Sequence, residues 1–247
     1  MVKPYVQRNI DLEPDRAAVK LEPYVGLFDP GELGETKARI LAAAYRRLAS
    51  EGYVALSVRE IAKDAGVNHA LINYHFRTKD QLVIEVLDAA NRRLLARQDE
   101  MYQGSGTYAQ KWARARRFYE SDLASGFVRV QAELWAASFS NAELRAKFVP
   151  RLLAWKQRVR DAVGAALAAL GDRGVALPAP FTADVIATWI SEFWLGMEFG
   201  DLLNDPGQRQ KHTAALDAVQ QLLEWVDNRT AVDPALSAPT RRRRRRS

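Results

Sequence analysis

The fold of this chain is decided by residues 57–82, which read SVREIAKDAGVNHALINYHFRTKDQL. Ser57 and Glu60 have the spacing of a capping box, which predicts the start of a short helix. Gly66 then turns the chain, and Asn68 is placed to cap a second short helix. Two short helices joined by a glycine turn form the helix-turn-helix arrangement, whose second helix can enter the major groove of DNA.

The apolar residues of this segment fit the same arrangement. Ile61, Val67 and Ile72 are spaced for a shared core, and Ala62 is small enough for a close helix crossing. An ordinary helical hairpin would show much the same spacing. The turn by itself therefore favours the DNA-binding and the purely structural interpretation equally.

Helical periodicity continues on both sides of the segment, with no strand-like alternation. Capping boxes at Thr78–Gln81 and Ser140–Glu143 predict two further helix starts, and Pro150 is expected to kink or interrupt its helix. Nine helices are predicted, over about 35–51, 58–65, 69–75, 79–101, 107–124, 127–138, 140–171, 182–203 and 206–227.

Length and composition exclude several classes of protein. The chain has 247 residues, of which 48% are hydrophobic and 27% charged, a composition typical of a folded globular protein. Its longest uncharged stretch, 65–76, is too short to span a bilayer, and prolines interrupt any signal peptide. The absence of cysteine excludes disulfides and thiolate metal sites. We therefore expect a cytoplasmic protein with no membrane segment.

The net charge of +6 lies in the C-terminal tail. Arg241 to Arg246 supply six of the 36 basic residues, and the remaining 30 equal the number of acidic residues. A run of like charges after a segment rich in Pro and Ser is expected to be disordered. Binding of DNA by the folded part of the chain must therefore depend on local arrangement and not on overall charge.

The helix-turn-helix segment resembles that of a known family. The sequences AGVN at 65–68 and INYHFRTKDQL at 72–82 resemble the tetracycline-repressor (TetR) family of bacterial transcription regulators. The resemblance is specific over about 35–85 and continues beyond that only as architecture. It implies an all-α fold with an N-terminal DNA-binding domain and a C-terminal helical domain that binds a small-molecule effector and forms a homodimer.

Four regions follow from the periodicity and this resemblance together. Residues 1–34 contain four prolines and predict an irregular N-terminal arm. The helix-turn-helix domain is expected over 35–101, with its last helix linking to the next domain. The ligand-binding and dimerisation domain is expected over 102–227, and the disordered arginine-rich tail over 228–247.

Position within the motif predicts the contacts with DNA. Exposed residues on the N-terminal side of the second helix face base edges, and Asn73 stands where the family usually has an aromatic residue. Side chains nearer the ends of the motif are placed to reach phosphates, which fix register without reading sequence. The predicted base-reading residues are His69, Ala70 and Asn73, and the predicted phosphate contacts are Ser57, Arg59, Tyr74, His75 and Lys79.

Aromatic residues concentrate in the second half of the chain. Several together in a helical bundle favour a partly apolar ligand cavity, although each one alone is typical of ordinary core packing. Arg116, Glu133 and Glu192 are the polar candidates beside them. The predicted effector pocket consists of Trp112, Phe118, Trp135, Phe139, Trp155, Trp189 and Phe193.

The last two predicted helices carry matching apolar stripes. Two such helices from each of two subunits would form a four-helix interface, although packing within one subunit would use the same stripes. A two-fold symmetric dimer predicts a palindromic operator. The predicted interface residues are Ile186, Ile190, Met197, Ala215, Val219, Leu222 and Leu223.

No catalytic constellation is visible. Three histidines, no cysteine, no glycine-rich phosphate loop and no HExxH motif predict no enzyme activity, no metal and no cofactor. We interpret the chain as a repressor that a small, partly apolar effector releases from double-stranded DNA. Two alternatives stay open: a helical small-molecule binding protein without DNA readout, and an architectural DNA-binding protein that uses its arginine tail.

Overall fold

The computed structural model describes residues 27–172, 174 and 176–231, and the regular structure within these ranges is entirely α-helical. Each helix in this part of the chain is either too short or too polar to span a bilayer. The helices are α1 (Pro30–Leu33), α2 (Glu35–Ala55), α3 (Val58–Ala65), α4 (His69–Phe76), α5 (Lys79–Gln103), α6 (Tyr108–Ala124), α7 (Phe127–Ser140), α8 (Ala142–Gly171), α9 (Ala183–Asp201) and α10 (Pro206–Ala231). The prediction of an all-α fold is confirmed.

The short helix α1 lies inside the arm that was predicted to be irregular. The Asp29 side chain accepts the Gly31 amide at 2.8 Å and so caps this helix, and Pro30 occupies its first position, where a missing amide donor costs nothing. Residues 1–26 of the arm and residues 232–247 of the arginine-rich tail lie outside the described residues.

The capping box predicted at the start of α3 does not form. Ser57 occupies the cap position, but its side chain makes no cap hydrogen bond. Glu60 instead accepts from Arg47 Nη1 at 2.8 Å, and Arg47 Nε donates to Asp64 Oδ2 at 2.6 Å. Since Arg47 lies on α2, the carboxylate that was predicted to close a local cap joins two helices instead.

The predicted start and interruption of α8 also differ from the structure. Asn141, and not Ser140, caps the helix by accepting a backbone N–H at 3.0 Å. Pro150 does not interrupt α8, which continues through it to Gly171. Pro150 removes the backbone donor that would reach the Ala146 carbonyl, and the Arg151 guanidinium donates to the next carbonyl, that of Lys147.

One hydrophobic core joins the helix-turn-helix to the C-terminal helices. Ile40 of α2 and Leu82 of α5 are fully buried in the same cluster as Leu134 of α7 and Leu144 of α8. Burial of each such side chain contributes about 1.5–3 kcal/mol. The Tyr45 hydroxyl on α2 also donates to the carbonyl of Ser125, the residue after α6, at 3.2 Å. The helix-turn-helix is therefore attached by buried packing as well as by the chain itself.

Candidate DNA-binding and effector sites

The turn between α3 and α4 has the geometry that the sequence predicted. Gly66 has the left-handed φ of 63°, which residues with a side chain rarely adopt. The Val67 amide donates to the Ala62 carbonyl at 2.9 Å and closes the end of α3. Asn68 Oδ1 accepts the Ala70 amide at 2.9 Å and begins α4.

Helix α4 has one buried face and one exposed face. Ile72 and Phe76 are 2% and 1% exposed and hold the helix against the core. His69, Ala70 and Asn73 are all exposed, and Asn73 Nδ2 lies 3.4 Å from His69 Nδ1. We call these three residues the α4 polar face, in which the small Ala70 accompanies the two polar side chains. The exposure that base-reading residues need is present at each of the three predicted positions.

The predicted phosphate contacts lie in different environments. Arg59 is exposed, and Tyr74 is 80% exposed, an unusual position for a large aromatic side chain. Ser57 and His75 are half-buried, and the His75 ring packs edge-on against the Tyr74 ring with centroids 5.3 Å apart. Arg59 and Tyr74 can therefore reach a partner outside the chain as they stand.

Lys79 is held within the protein at the start of α5. Its ammonium donates to the Tyr53 carbonyl at 2.7 Å and lies 4.4 Å from the centre of the Tyr53 ring. Burial lowers the pKa of Lys79. An ammonium has three donor hydrogens, so the bond to Tyr53 leaves two of them for a phosphate.

A cavity of about 850 Å³ opens where α2, α6, α7 and α10 meet. Its volume lies within the range of small-molecule sites. The wall combines apolar side chains such as Leu123 and Leu216 with charges of both signs. The charged residues of the wall are Arg116, Glu120, Arg129, Glu133, Asp201 and Arg209.

The aromatic residues predicted to form the effector pocket do not line this cavity. Trp155 is buried between α8 and α9, and the Trp135 ring packs against Phe148 of the main core. The Trp112 indole donates to a backbone carbonyl of α10 at 3.1 Å, and the Phe118 ring lies under the Arg97 guanidinium. These four side chains have protein partners, which is the ordinary core packing that helical spacing equally predicts.

The other three predicted pocket residues lie at the surface. Phe139, Trp189 and Phe193 are 72%, 58% and 38% exposed. Of the polar candidates, Arg116 and Glu133 do line the cavity, whereas Glu192 pairs with Lys156 on the exposed side of α8 and α9. Two of the predicted polar residues therefore line the cavity, and none of the seven predicted aromatic residues does.

A buried polar cluster, which the sequence analysis missed, lies beside the cavity. The carboxylate of Asp201 accepts from the Tyr119 hydroxyl and lies 2.7 Å from His212 Nδ1. Glu198, one turn earlier on α9, is 4% exposed and accepts the Trp194 indole N–H at 2.9 Å. A signal was available, because Glu198 is the only acidic residue in the apolar stretch 193–199.

The Glu198 carboxyl has an unusual protonation state. Burial, with the nearby Asp122 carboxylate as the second cause, raises the pKa of Glu198 to about 8. The Trp194 hydrogen bond and Arg97 act in the opposite direction but do not offset burial. The group is therefore mostly protonated at neutral pH.

The residues predicted to form a dimer interface differ in how far the chain buries them. Met197 is 3% exposed and packs with Tyr119 and Leu216 of its own chain, so burial within one subunit removes it from the candidate interface. Leu222 is 57% exposed. The remaining five are half-buried, and they are Ile186, Ile190, Ala215, Val219 and Leu223.

Comparison with known proteins agrees with the helix-turn-helix. A family model described as bacterial regulatory proteins, tetR family, matches residues 40–86. The HTH-type transcriptional repressor Rv3405c of Mycobacterium tuberculosis is 48% identical over 60 residues, which are 24% of this chain and 32% of that protein. The match thus spans about a third of the length of this relative.

Solved structures extend the likeness to the whole fold. A putative transcriptional regulator from Saccharomonospora viridis, in complex with choline, aligns with a TM-score of 0.60 at 22% identity over 77% of this chain and 94% of its own. The transcriptional regulator FadR from Bacillus subtilis, in complex with stearoyl-CoA, aligns with a TM-score of 0.60 at 22% identity over 75% and 96%. Both of these solved proteins are described as transcriptional regulators. The helix-turn-helix segment, residues 40–86, thus matches the TetR family of bacterial regulatory proteins, and the helical C-terminal region shares the fold of these solved regulators.

Proposed function

We propose that this chain is a transcriptional repressor that binds a double-stranded DNA operator through the α4 polar face. The observation that carries the proposal is the division of α4, with Ile72 and Phe76 buried and the three polar-face residues exposed directly after the Gly66 turn. A recognition helix needs this arrangement, because its N-terminal residues must meet base edges while its other face stays packed. Arg59, Tyr74 and the two remaining hydrogens of Lys79 supply phosphate contacts.

Two copies of the chain bind one operator. Trp189 and Phe193, one turn apart on α9, are exposed, as are Leu222 and Trp225 on α10. Exposed large apolar side chains on neighbouring helices favour an interface with another chain. A two-fold dimer formed through α9 and α10 presents two α4 helices to two half-sites, so the operator is palindromic.

The cavity beside α2 is the effector site. It contacts α2, which packs directly against α3, and it combines an apolar wall with charged groups that can orient a ligand. The two solved relatives carry choline and stearoyl-CoA, so members with this fold accept ligands of quite different chemistry. An effector that binds better to a conformation with mismatched half-site spacing lowers DNA affinity by the coupling energy, typically about 1–3 kcal/mol.

Selection of bound fragments from random double-stranded DNA by the full-length protein tests the proposal. We expect one palindromic sequence to be enriched. Asn73→Ala should then relax discrimination at one base position by about 1–3 kcal/mol, while Lys79→Ala should weaken all sequences equally and lower the salt slope by about one. Asn228→Ala, at an exposed position of α10, is the matched control and should bind as the wild type does.

The outcome for the base-reading variants decides between the interpretations. If Asn73→Ala and His69→Ala lose the same affinity for operator and scrambled DNA, the α4 polar face does not read bases. If no sequence is enriched at any salt concentration, the helix-turn-helix is structural, and the helical small-molecule binding protein becomes the better interpretation.

A further inference from the structure

Glu133 of α7 reaches from the cavity wall to the end of α2. Glu133 lines the cavity, and its Oε2 accepts the backbone N–H of Tyr53 at 3.0 Å. The approach depends on Gly52, which has a φ of 84° and where a Cβ atom would lie 2.6–2.7 Å from the carboxylate atoms of Glu133. The contact therefore joins the cavity to the point where the chain leaves α2 for the helix-turn-helix.

Tyr53 in turn forms two hydrogen bonds with the start of α5. Its carbonyl accepts from Lys79 Nζ at 2.7 Å, and its hydroxyl donates to Asp80 Oδ1 at 2.5 Å. Both partners lie in the first turn of α5, three and four residues after the end of α4 at Phe76. The three polar groups of Tyr53 thus link α7 to the base of the recognition helix.

A second bond from the C-terminal helices reaches the same turn. Asn141, the cap of α8, donates from Nδ2 to Asp80 Oδ2 at 2.8 Å. Asp80 is therefore held from both sides, by Tyr53 and by Asn141. This second link does not involve Glu133, so it persists when the first is broken, and Tyr53 is the part of the connection that depends on the cavity.

Within the described residues, no Lys, Arg or His nitrogen forms an ion pair with the Glu133 carboxylate. Arg129, one turn earlier on α7 and also in the cavity wall, has no ion pair with it. A carboxylate has about four acceptor positions, and a single backbone amide occupies one of them. A bound ligand with a hydrogen-bond donor can therefore compete with Tyr53 for this group.

We infer that Glu133 is the positioning residue through which the cavity acts on the DNA-binding helices. It holds Tyr53, and through Tyr53 the first turn of α5, in the arrangement that binds DNA. A ligand that draws the carboxylate into the cavity loosens that turn and so changes the position of α4. The inference rests on the proposed function and specifies how its effector site is regulated.

Hydrogen–deuterium exchange and operator titration with the full-length protein test this role together. Glu133→Ala should speed exchange in two separate segments, 50–58 and 78–84, and should weaken operator binding at least about fivefold, the low end of typical allosteric coupling. Glu133→Gln keeps an acceptor oxygen and should restore both properties. Glu120→Ala, which removes a residue of the cavity wall on α6 that pairs with Arg116 of its own helix and not with α2, is the matched control.

The two readouts separate failure of this inference from failure of the proposed function. Faster exchange confined to 50–58, or the same response in Glu120→Ala, would overturn the role of Glu133 even if the wild type binds its operator. If the wild type selects no DNA sequence, the proposed function fails, and exchange in 78–84 alone decides whether the connection exists. If Glu133→Ala loses its helical circular dichroism, Glu133→Asp takes its place, because the shorter side chain draws the carboxylate back from the Tyr53 amide. Faster exchange in both segments is again expected, and unchanged exchange in 78–84 would overturn the inference.

Discussion

Replacing Glu198 by Gln should stabilise the protein at neutral pH. The carboxyl is 4% exposed, and burial raises its pKa from an ordinary 4.5 to about 8. In the unfolded chain the group loses its proton above pH 4.5, whereas the folded chain keeps it until about pH 8. Folding between these values takes up a proton, so stability falls as pH rises through this window and is constant above it.

The size of the effect follows from the distance between the two pKa values. One pKa unit corresponds to about 1.4 kcal/mol, so at pH 7 the penalty on the wild type is roughly 3 kcal/mol. Glutamine is neutral at every pH, and its carbonyl oxygen can still accept the Trp194 indole N–H that now reaches Glu198 at 2.9 Å. The variant should therefore lie within about 1 kcal/mol of the wild type near pH 5 and exceed its stability by roughly 3 kcal/mol at pH 7.

Urea unfolding between pH 5 and pH 8, followed by circular dichroism, measures this difference. Protein concentration must be fixed, because association would make the midpoint depend on it. Glu192→Gln, on the exposed side of the same helix, is the control and should change stability by less than about 1 kcal/mol at every pH. A difference between wild type and Glu198→Gln that does not change with pH would refute the reasoning.

Three further predictions concern the turn, the association surface and the tail. Gly66→Ala places a side chain at a φ of 63° and should lower the free energy of unfolding by about 1 kcal/mol or more. Gly164→Ala inside α8 should raise it by about 0.5–1 kcal/mol. Urea midpoints that shift in the same direction for both variants would contradict this. Trp189→Glu with Leu222→Glu should give a monomer in sedimentation, because an apolar interface does not accept unpaired charge; a wild type already monomeric at micromolar concentration would contradict it. Deleting 240–247, outside the described residues, should weaken non-specific binding at low salt and leave operator selectivity intact. Loss of selectivity with the fold preserved would favour the architectural alternative.

Local signals made the helix-turn-helix predictable. Gly66 and Asn68 act on backbone atoms only a few residues away, so their roles in the turn and the cap could be inferred without knowledge of the fold. The burial of Ile72 beside the exposed Asn73 follows from helical periodicity in the same way. Only the Ser57 cap differed, because the distant Arg47 engages the carboxylate that the local pattern needed.

The effector region depends on contacts between residues far apart in sequence. Glu133 meets Tyr53 across 80 positions, and Trp112 finds its acceptor in α10 across 104. A helical period shows which residues face inward but not which helix they meet, so aromatic residues of the core, the surface and a cavity share one pattern. Glu198 breaks that pattern, and a buried acid in an apolar stretch is the kind of exception that marks a polar interior.

The single core that unites α2 and α5 with α7 and α8 limits how this regulator can be divided. A fragment ending at residue 101 would keep the complete DNA-binding motif but expose the apolar surface that Leu134 and Leu144 now cover. Such a fragment is a poor module for transplanting DNA specificity onto another sensor. An engineer who wishes to exchange operator preference should graft the α4 polar face alone, and leave every helix boundary of the host untouched.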